Sequence, residues 1–363
     1  MTIAGACGRK KGTGFDGYAL IATAGDESLG VVDLTAFRLI KSIPLGARPT
    51  AVITGSGKGL VEGNSYVLTQ SNGTIHKLNR ELTRVLSKKV AGELSAIGVM
   101  PDGNRLVAIA GSSRELIEIE AGSLNTIRRH KLEGGPVAFD VAADQHVAIS
   151  TGERGVIQMF NLETGANSRA QVPGPLGDVR FRRDAAILLA ANLRDRSIAA
   201  LEVPSLQSVA DLPLAMQPEN LCFNSDGGQL FVSGAGMDGV GIVFPYTLEV
   251  DETLLAGRSP GAMACSEKPP YLFVGSRNAS DVCIFDIGTR RMIGIVEVGE
   301  IPGRMAITPD NQYALALSEK SGNMAVIHIA AIRGNKWKSG AALFTMIPVG
   351  DRPVDAAIVP RRA

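Results

Sequence analysis

The chain has 363 residues, and its 37 Lys and Arg against 36 Asp and Glu leave a net charge of +1. Such a balance lacks the field that draws a protein onto a nucleic-acid backbone, so nucleic acid is not an expected partner. Glycine fills 42 positions, about 12 % against a usual ~7 %, and no run of about 18 apolar residues occurs, which describes a turn-rich globular chain without a membrane-spanning helix.

In chain order the first feature is Cys7, preceded by Ile3-Ala4-Gly5-Ala6 and followed by Gly8 and the basic stretch Arg9-Lys10-Lys11. Small residues leading to a cysteine and then a loose tether resemble the end of a bacterial lipoprotein signal, although a full signal needs a longer apolar segment upstream. Two readings stand: Cys7 is a lipid-attachment site that places the protein in the cell envelope or periplasm, or it is a thiol on a loose tail of a cytoplasmic protein. Residues 1–17 are therefore read as a flexible tail.

Beyond it, repetition dominates. Hydrophobic strands begin at Tyr18 (YALIAT), Ser65, Arg105, His146, Ile187, Gln229, Tyr271 and Tyr313, with successive spacings of 47, 40, 41, 41, 42, 42 and 42 residues. That period fits four-stranded propeller blades and is too long for leucine-rich, ankyrin or tetratricopeptide units. Each unit repeats the same order: an opening strand, a polar turn, a second strand such as DVCIFDI, a third such as RMIGIVEVG, and a fourth such as RMAITP. The sequence thus predicts an all-β propeller of four-stranded antiparallel blades over 18–360, with a short basic end at 361–363. Counting gives eight blades, with seven the alternative.

The single tryptophan, Trp337, excludes WD-type and tryptophan-docking repeats. What recurs is a valine-rich strand ending in Asp, a strand running into Pro-x-Gly, and a strand closing on Pro-Asp. The unit from Tyr271 to Gln312 resembles the YVTN-type repeat of the lactonase-like (phosphogluconolactonase-like) propeller superfamily, whose members commonly have seven blades. In that family's arrangement the strand ending in Pro-Asp is the innermost strand of the next blade. The chain here begins with a second strand and ends at 354–360 with an innermost one, so its termini are expected to complete one blade and close the ring.

This phase sorts the turns by face. Turns leading into innermost strands carry Arg48, Arg258, Arg304 and Arg352 in four consecutive blades, and Glu93, Glu133, Asp178 and Glu219 in the other four. Clustered guanidinium groups suit a carboxylate or phosphate, so these arginines are read as a site for an anionic small molecule or an acidic partner protein at the channel mouth. The competing reading is turn chemistry, each arginine paired with an acid such as Glu300 or Asp351. The opposite face carries two lengthened turns, 55–64 and 330–341. The second holds Lys336, Trp337 and Lys338, which suit an anionic membrane surface or a partner protein, or are ordinary solvated loop charge.

Catalytic signals are sparse. The four histidines show no metal-ligand spacing, no nucleophile elbow or phosphate loop occurs, and Cys222, Cys265 and Cys283 read as small core hydrophobes. The expectation is a monomeric, non-catalytic binding or scaffolding propeller with no metal or cofactor. The resemblance implies the alternative, a lactonase hydrolysing a sugar-acid lactone at the mouth, which requires a general base beside the arginines.

Overall fold

The computed structural model describes residues 14–55, 59–332 and 342–361. Eight four-stranded antiparallel sheets are arranged as blades of one ring. The innermost strands, in blade order 1 to 8, are Pro353–Pro360, Pro49–Thr54, Ala96–Val99, Pro136–Val141, Leu176–Phe181, Gln217–Phe223, Pro260–Cys265 and Pro302–Ile307. Blade 1 is composite: the C-terminal strand pairs with Gly17–Thr23, followed outward by Ser28–Asp33 and Arg38–Pro44. The expected closure is therefore present, and the inner edge of Gly17–Thr23 is paired along its length.

The core of this molecule lies between blades. One cluster of buried apolar side chains occupies each blade interface, for example Phe15, Ala19, Tyr313 and Leu315 between blades 8 and 1, and Leu189, Ile198, Leu221 and Val232 between blades 5 and 6. This explains why the second strand of each blade reads as a continuous apolar run. Ile187–Asn192 and Tyr313–Ser318 are buried at every position because both faces meet a neighbouring blade, whereas the outermost strand of blade 1, Arg38–Pro44, is exposed at all but Ile43.

The repeat signature has a mechanical reason. The Asp or Asn that ends the third strand caps the following turn: Asp33, Asn161 and Asp286 accept backbone N–H bonds through Oδ1 from Thr35, Thr164 and Thr289 at 2.8, 2.9 and 2.7 Å. The Asp after the innermost strand does the same, with Asp102, Asp184, Asp226 and Asp310 accepting from Asn104, Ala186, Gly228 and Gln312. Gly103 and Gly227 then take left-handed φ of 69° and 76°, where glycine is unstrained. Every innermost strand except that of blade 3 carries a register shift close behind its first residue, which is proline in blades 1, 2, 4, 7 and 8. Proline cannot donate to the ladder, so pairing begins irregularly there.

The seam is clasped on the face opposite the mouth. Arg361 lies 4.7 Å over the Tyr18 ring and donates to Asp33 Oδ2 at 3.1 Å. Burial opposes ionisation of Asp33, but the Thr35 and Ala36 bonds and the Arg361 charge hold its carboxyl below the usual range.

His76, in blade 2, is only 3 % exposed and contacts Ser87 Oγ at 2.8 Å and Thr69 Oγ1 at 3.2 Å. Burial, with the Arg84 charge adding to it, pushes its imidazole down to about 4. Between the unfolded value near 6.5 and that folded value the unfolded chain binds a proton that the folded chain refuses, so stability falls as pH drops through this window. The expected loss from pH 7 to pH 5 is about 2 kcal/mol. Urea midpoints at the two pH values should show it, and His76→Gln should lose that part of the pH dependence. An unchanged dependence in the variant would contradict the assignment.

Candidate functional site

Innermost strands alternate. Val52, Ile97, Val179, Leu221, Met305 and Ala356 are buried between blades, while the residues on either side of them are half-buried or exposed and line the channel. Small residues stand at several half-buried positions of these strands: Ala51, Ala96, Ala138, Ala262, Ala264 and Ala306. Beside them stand Asp140 in blade 4, Asp178 and Arg180 in blade 5, Asn220 and Cys222 in blade 6, Arg304 in blade 8 and Asp355 in blade 1.

The carboxylates do two jobs. Each reaches to the next inner strand, so that Phe181 N–H donates to Asp140 Oδ2 at 2.8 Å and Val52 N–H to Asp355 Oδ2 at 2.9 Å. Each also faces a guanidinium: Arg180 lies 3.2 Å from Asp178 and 3.7 Å from Asp140, and Arg304 Nε lies 3.0 Å from Asp355 Oδ1. Burial dominates all three, and despite these arginines the carboxyls of Asp140, Asp178 and Asp355 are raised above their usual range.

The predicted rim is distributed as follows. By blade order Arg258, Arg304, Arg352 and Arg48 occupy blades 7, 8, 1 and 2, and Glu93, Glu133, Asp178 and Glu219 occupy blades 3 to 6. All four arginines are exposed. Arg48 and Arg258 make no ion pair among the described residues, Arg304 takes Asp355, and Arg352 lies 3.6 Å from Glu319. The acids are engaged elsewhere: Glu133 holds Arg169, Glu219 holds Arg277, and Glu300 holds Lys320. Arg352 has a φ of 52° immediately before Pro353, and Ser259 and Ile301 do the same before Pro260 and Pro302. The strained turn is thus a property of these entries and not of arginine alone.

Depth separates the four. Arg304 stands within an innermost strand and reaches into the channel, whereas Arg48, Arg258 and Arg352 precede their strands and ring the mouth. The mouth also carries a cavity of 390 Å³ between blades 3 and 4, lined by Arg114, Glu153, Arg154 and Pro136. Arg114 and Arg154 come from turns between second and third strands, which the reading of turns entering inner strands did not take in. Cys7, Lys336, Trp337 and Lys338 lie outside the described residues.

The cysteines read as small core hydrophobes differ in burial, and Cys265 packs against the apolar cluster between blades 6 and 7. Cys283 is buried as expected, but Cys222 and Cys265 are half-buried on adjacent innermost strands, with their sulfurs 3.9 Å apart. They are 43 residues apart, about one repeat, and that spacing is the signal that brings them together. The histidines His76, His130, His146 and His328 all stand on strands outside the innermost one. Among the described residues no group of three or more His, Cys, Asp or Glu is placed to hold a metal ion.

No protein-family model matches the chain, and no curated protein does. Solved structures do. The chain is similar to dihydro-haem d1 dehydrogenase NirN, solved in complex with DHE, with a TM-score of 0.78 and 15 % identity over 94 % of this chain and 75 % of that one. A functionally unknown protein from Desulfotomaculum acetoxidans superposes with a TM-score of 0.58 at 12 % identity, covering 94 % of this chain and 98 % of that one. Kuenenia stuttgartiensis hydrazine synthase gives 0.57 at 12 % identity, covering 73 % and 94 %. At such identities the likeness is one of fold: the chain is an eight-bladed β-propeller.

Proposed function

We propose that this propeller binds an anionic ligand, a small polycarboxylate or phosphate ester or the acidic segment of a protein partner, at the mouth arc formed by Arg258, Arg304, Arg352 and Arg48. The observation that carries this reading is the charge state of the arc. Arg48 and Arg258 are exposed with no acidic partner among the described residues, while Glu133, Asp178 and Glu219 in the other blades hold arginines of their own and Glu93 accepts from Gln70 Nε2. An incoming carboxylate or phosphate would find unpaired fork-shaped donors at the mouth of the channel. NirN, on the same frame, was solved in complex with DHE, so the frame is compatible with a bound ligand.

The test is calorimetric titration of the full chain with citrate, pyrophosphate, 6-phosphogluconate and a glutamate-rich peptide. One of these is expected to bind, and Arg48→Gln with Arg352→Gln is expected to weaken it by at least about tenfold, since a charged hydrogen bond contributes about 1.5–3 kcal/mol. Absence of binding by all four, or equal binding by the double variant, would overturn the proposal.

A second reading has one observation in its favour. The YVTN-type resemblance implies a lactonase, which needs a base beside the arc, and Asp355 meets Arg304 at 3.0 Å within it. In that reading Arg304 would polarise a lactone carbonyl and Asp355 would take a proton from water. Hydrolysis of phosphorylated aldonolactones that is lost in Asp355→Asn would favour it, and no turnover above buffer would leave binding alone.

Two placements accompany the proposal. The first described residues, Gly14 and Phe15, enter at the face opposite the mouth, and Ile332 and Ala342, which bracket Lys336, Trp337 and Lys338, lie on that same face. A lipid on Cys7 would then hold the protein in a cell envelope with the arginine arc facing outward, and Lys336, Trp337 and Lys338 would face the membrane or a partner.

A further inference from the structure

The two half-buried thiols at the inner boundary between blades 6 and 7 belong to no step of the proposed function. Cys222 ends one turn of alternation on the innermost strand of blade 6, Cys265 ends the innermost strand of blade 7, and their Sγ atoms stand 3.9 Å apart. Closing that gap to a bond of about 2.05 Å requires an approach of about 2 Å, within the reach of side-chain rotation between strands that already pack together.

The surroundings distinguish the two sulfurs. The Cys222 thiol is lowered, first by its hydrogen bond with Cys265 and then by the charges of Arg180 and Arg304, which together outweigh burial and the Asp178 carboxylate. Cys265 is raised by that bond and by burial. Cys283 is different: it is 1 % exposed, and burial pushes it up to about 11. Two thiols at 3.9 Å, one of them lowered by nearby positive charge and the other raised, have the arrangement of an attacking and a resolving cysteine.

We propose that Cys222 and Cys265 form a peroxide-reactive dithiol site at the inner boundary between blades 6 and 7, oxidised by hydrogen peroxide to a disulfide that joins the two blades. Cys222 sulfur attacks one peroxide oxygen, an S–O bond forms, the O–O bond breaks, and the departing hydroxide takes up a proton to become water. Cys265 sulfur then attacks Cys222 sulfur, and its proton leaves with the sulfenic hydroxyl as a second water. Two thiols and one peroxide thus give one disulfide and two waters, with both electrons of the oxidation passing to the peroxide.

The experiment treats the native full chain with hydrogen peroxide, blocks remaining thiols, and maps peptides without reductant. The expected product is an intramolecular Cys222–Cys265 link, lighter by two hydrogens and reversed by dithiothreitol. Cys265→Ser should stop at a sulfenic acid on Cys222 that a cyclic 1,3-dione traps, and Cys222→Ser should react at least about tenfold more slowly. The wild-type map needs no variant to fold. Recovery of both thiols unoxidised, or oxidation of Cys7 or Cys283 ahead of Cys222, would overturn the proposal.

Discussion

Truncation after Arg352 is expected to abolish cooperative folding. The strand it removes, Pro353–Pro360, is paired along the whole of Gly17–Thr23 and supplies Ala356 and Ile358 to the interface with blade 8, and Val354, Ala357 and Val359 to the interface with blade 2. Without it, backbone donors and acceptors of a strand buried at nearly every position lose their partners, and the Asp355 bond to blade 2 and the Arg361 clasp go with it. Each buried unsatisfied group costs about 1–3 kcal/mol, so the summed loss rivals the entire stability of an ordinary domain. Circular dichroism should show either no cooperative transition or a Tm lowered by more than about 15 °C. Ala357→Pro, which deletes one donor in the same ladder, should give a milder defect in the same direction. A truncated chain that melts like the full one would contradict the closure.

The second large effect sits between blades 3 and 4. Glu118 is 2 % exposed, and its carboxylate is held by His130 Nε2 at 2.6 Å and Arg105 Nη1 at 3.3 Å. Arg105 also donates to Asp102 at 2.7 Å and, across the interface, to Leu162 O at 2.9 Å and Gln145 Oε1 at 3.2 Å. Burial opposes the charge on Glu118, but His130, Arg128 and Arg105 hold the carboxyl below its usual range. Arg105→Met fills the space but leaves the buried Glu118 carboxylate with His130 alone and frees three further acceptors, Asp102 Oδ2, Leu162 O and Gln145 Oε1, and the expected cost is about 3 kcal/mol. Guanidinium titration should show the midpoint fall, and adding Glu118→Gln should recover part of it, because the stranded charge is then gone. Equal stability of Arg105→Met and wild type would show that the network carries no net weight.

Much of the frame is legible in the sequence because every blade solves the same physical problem with the same residues. The Asp33, Asn161 and Asp286 caps, the buried second strands and the 40–42-residue spacing are local or periodic features, and the phase of the repeat at Tyr18 and Pro360 is enough to anticipate the composite blade. The channel wall is harder to read. The register shift behind the first residue of nearly every inner strand displaces the alternation by one, so Asp140, Arg180 and Cys222 look like ordinary strand residues until the shift is known. Their partners stand about one repeat away: Arg180 meets Asp140, and Cys222 meets Cys265, across a blade boundary. Pairs of complementary residues at that separation are a signal that the search for short motifs passes over. The tail around Cys7 and the turn around Trp337 lie outside the described residues, so the repeat has no bearing on them.

The central claim is that an anion sits on the arginine arc, and residue-resolved protection tests it most directly. The full chain would be treated with phenylglyoxal, which modifies accessible guanidinium groups, with and without saturating citrate, pyrophosphate or 6-phosphogluconate, and the adducts mapped by mass spectrometry. The account predicts that the anion which binds slows modification of Arg48, Arg258, Arg304 and Arg352 together, while Arg84 and Arg129 on outer strands are unaffected. Equal modification of the four with and without every anion, or protection confined to arginines elsewhere on the surface, would contradict it.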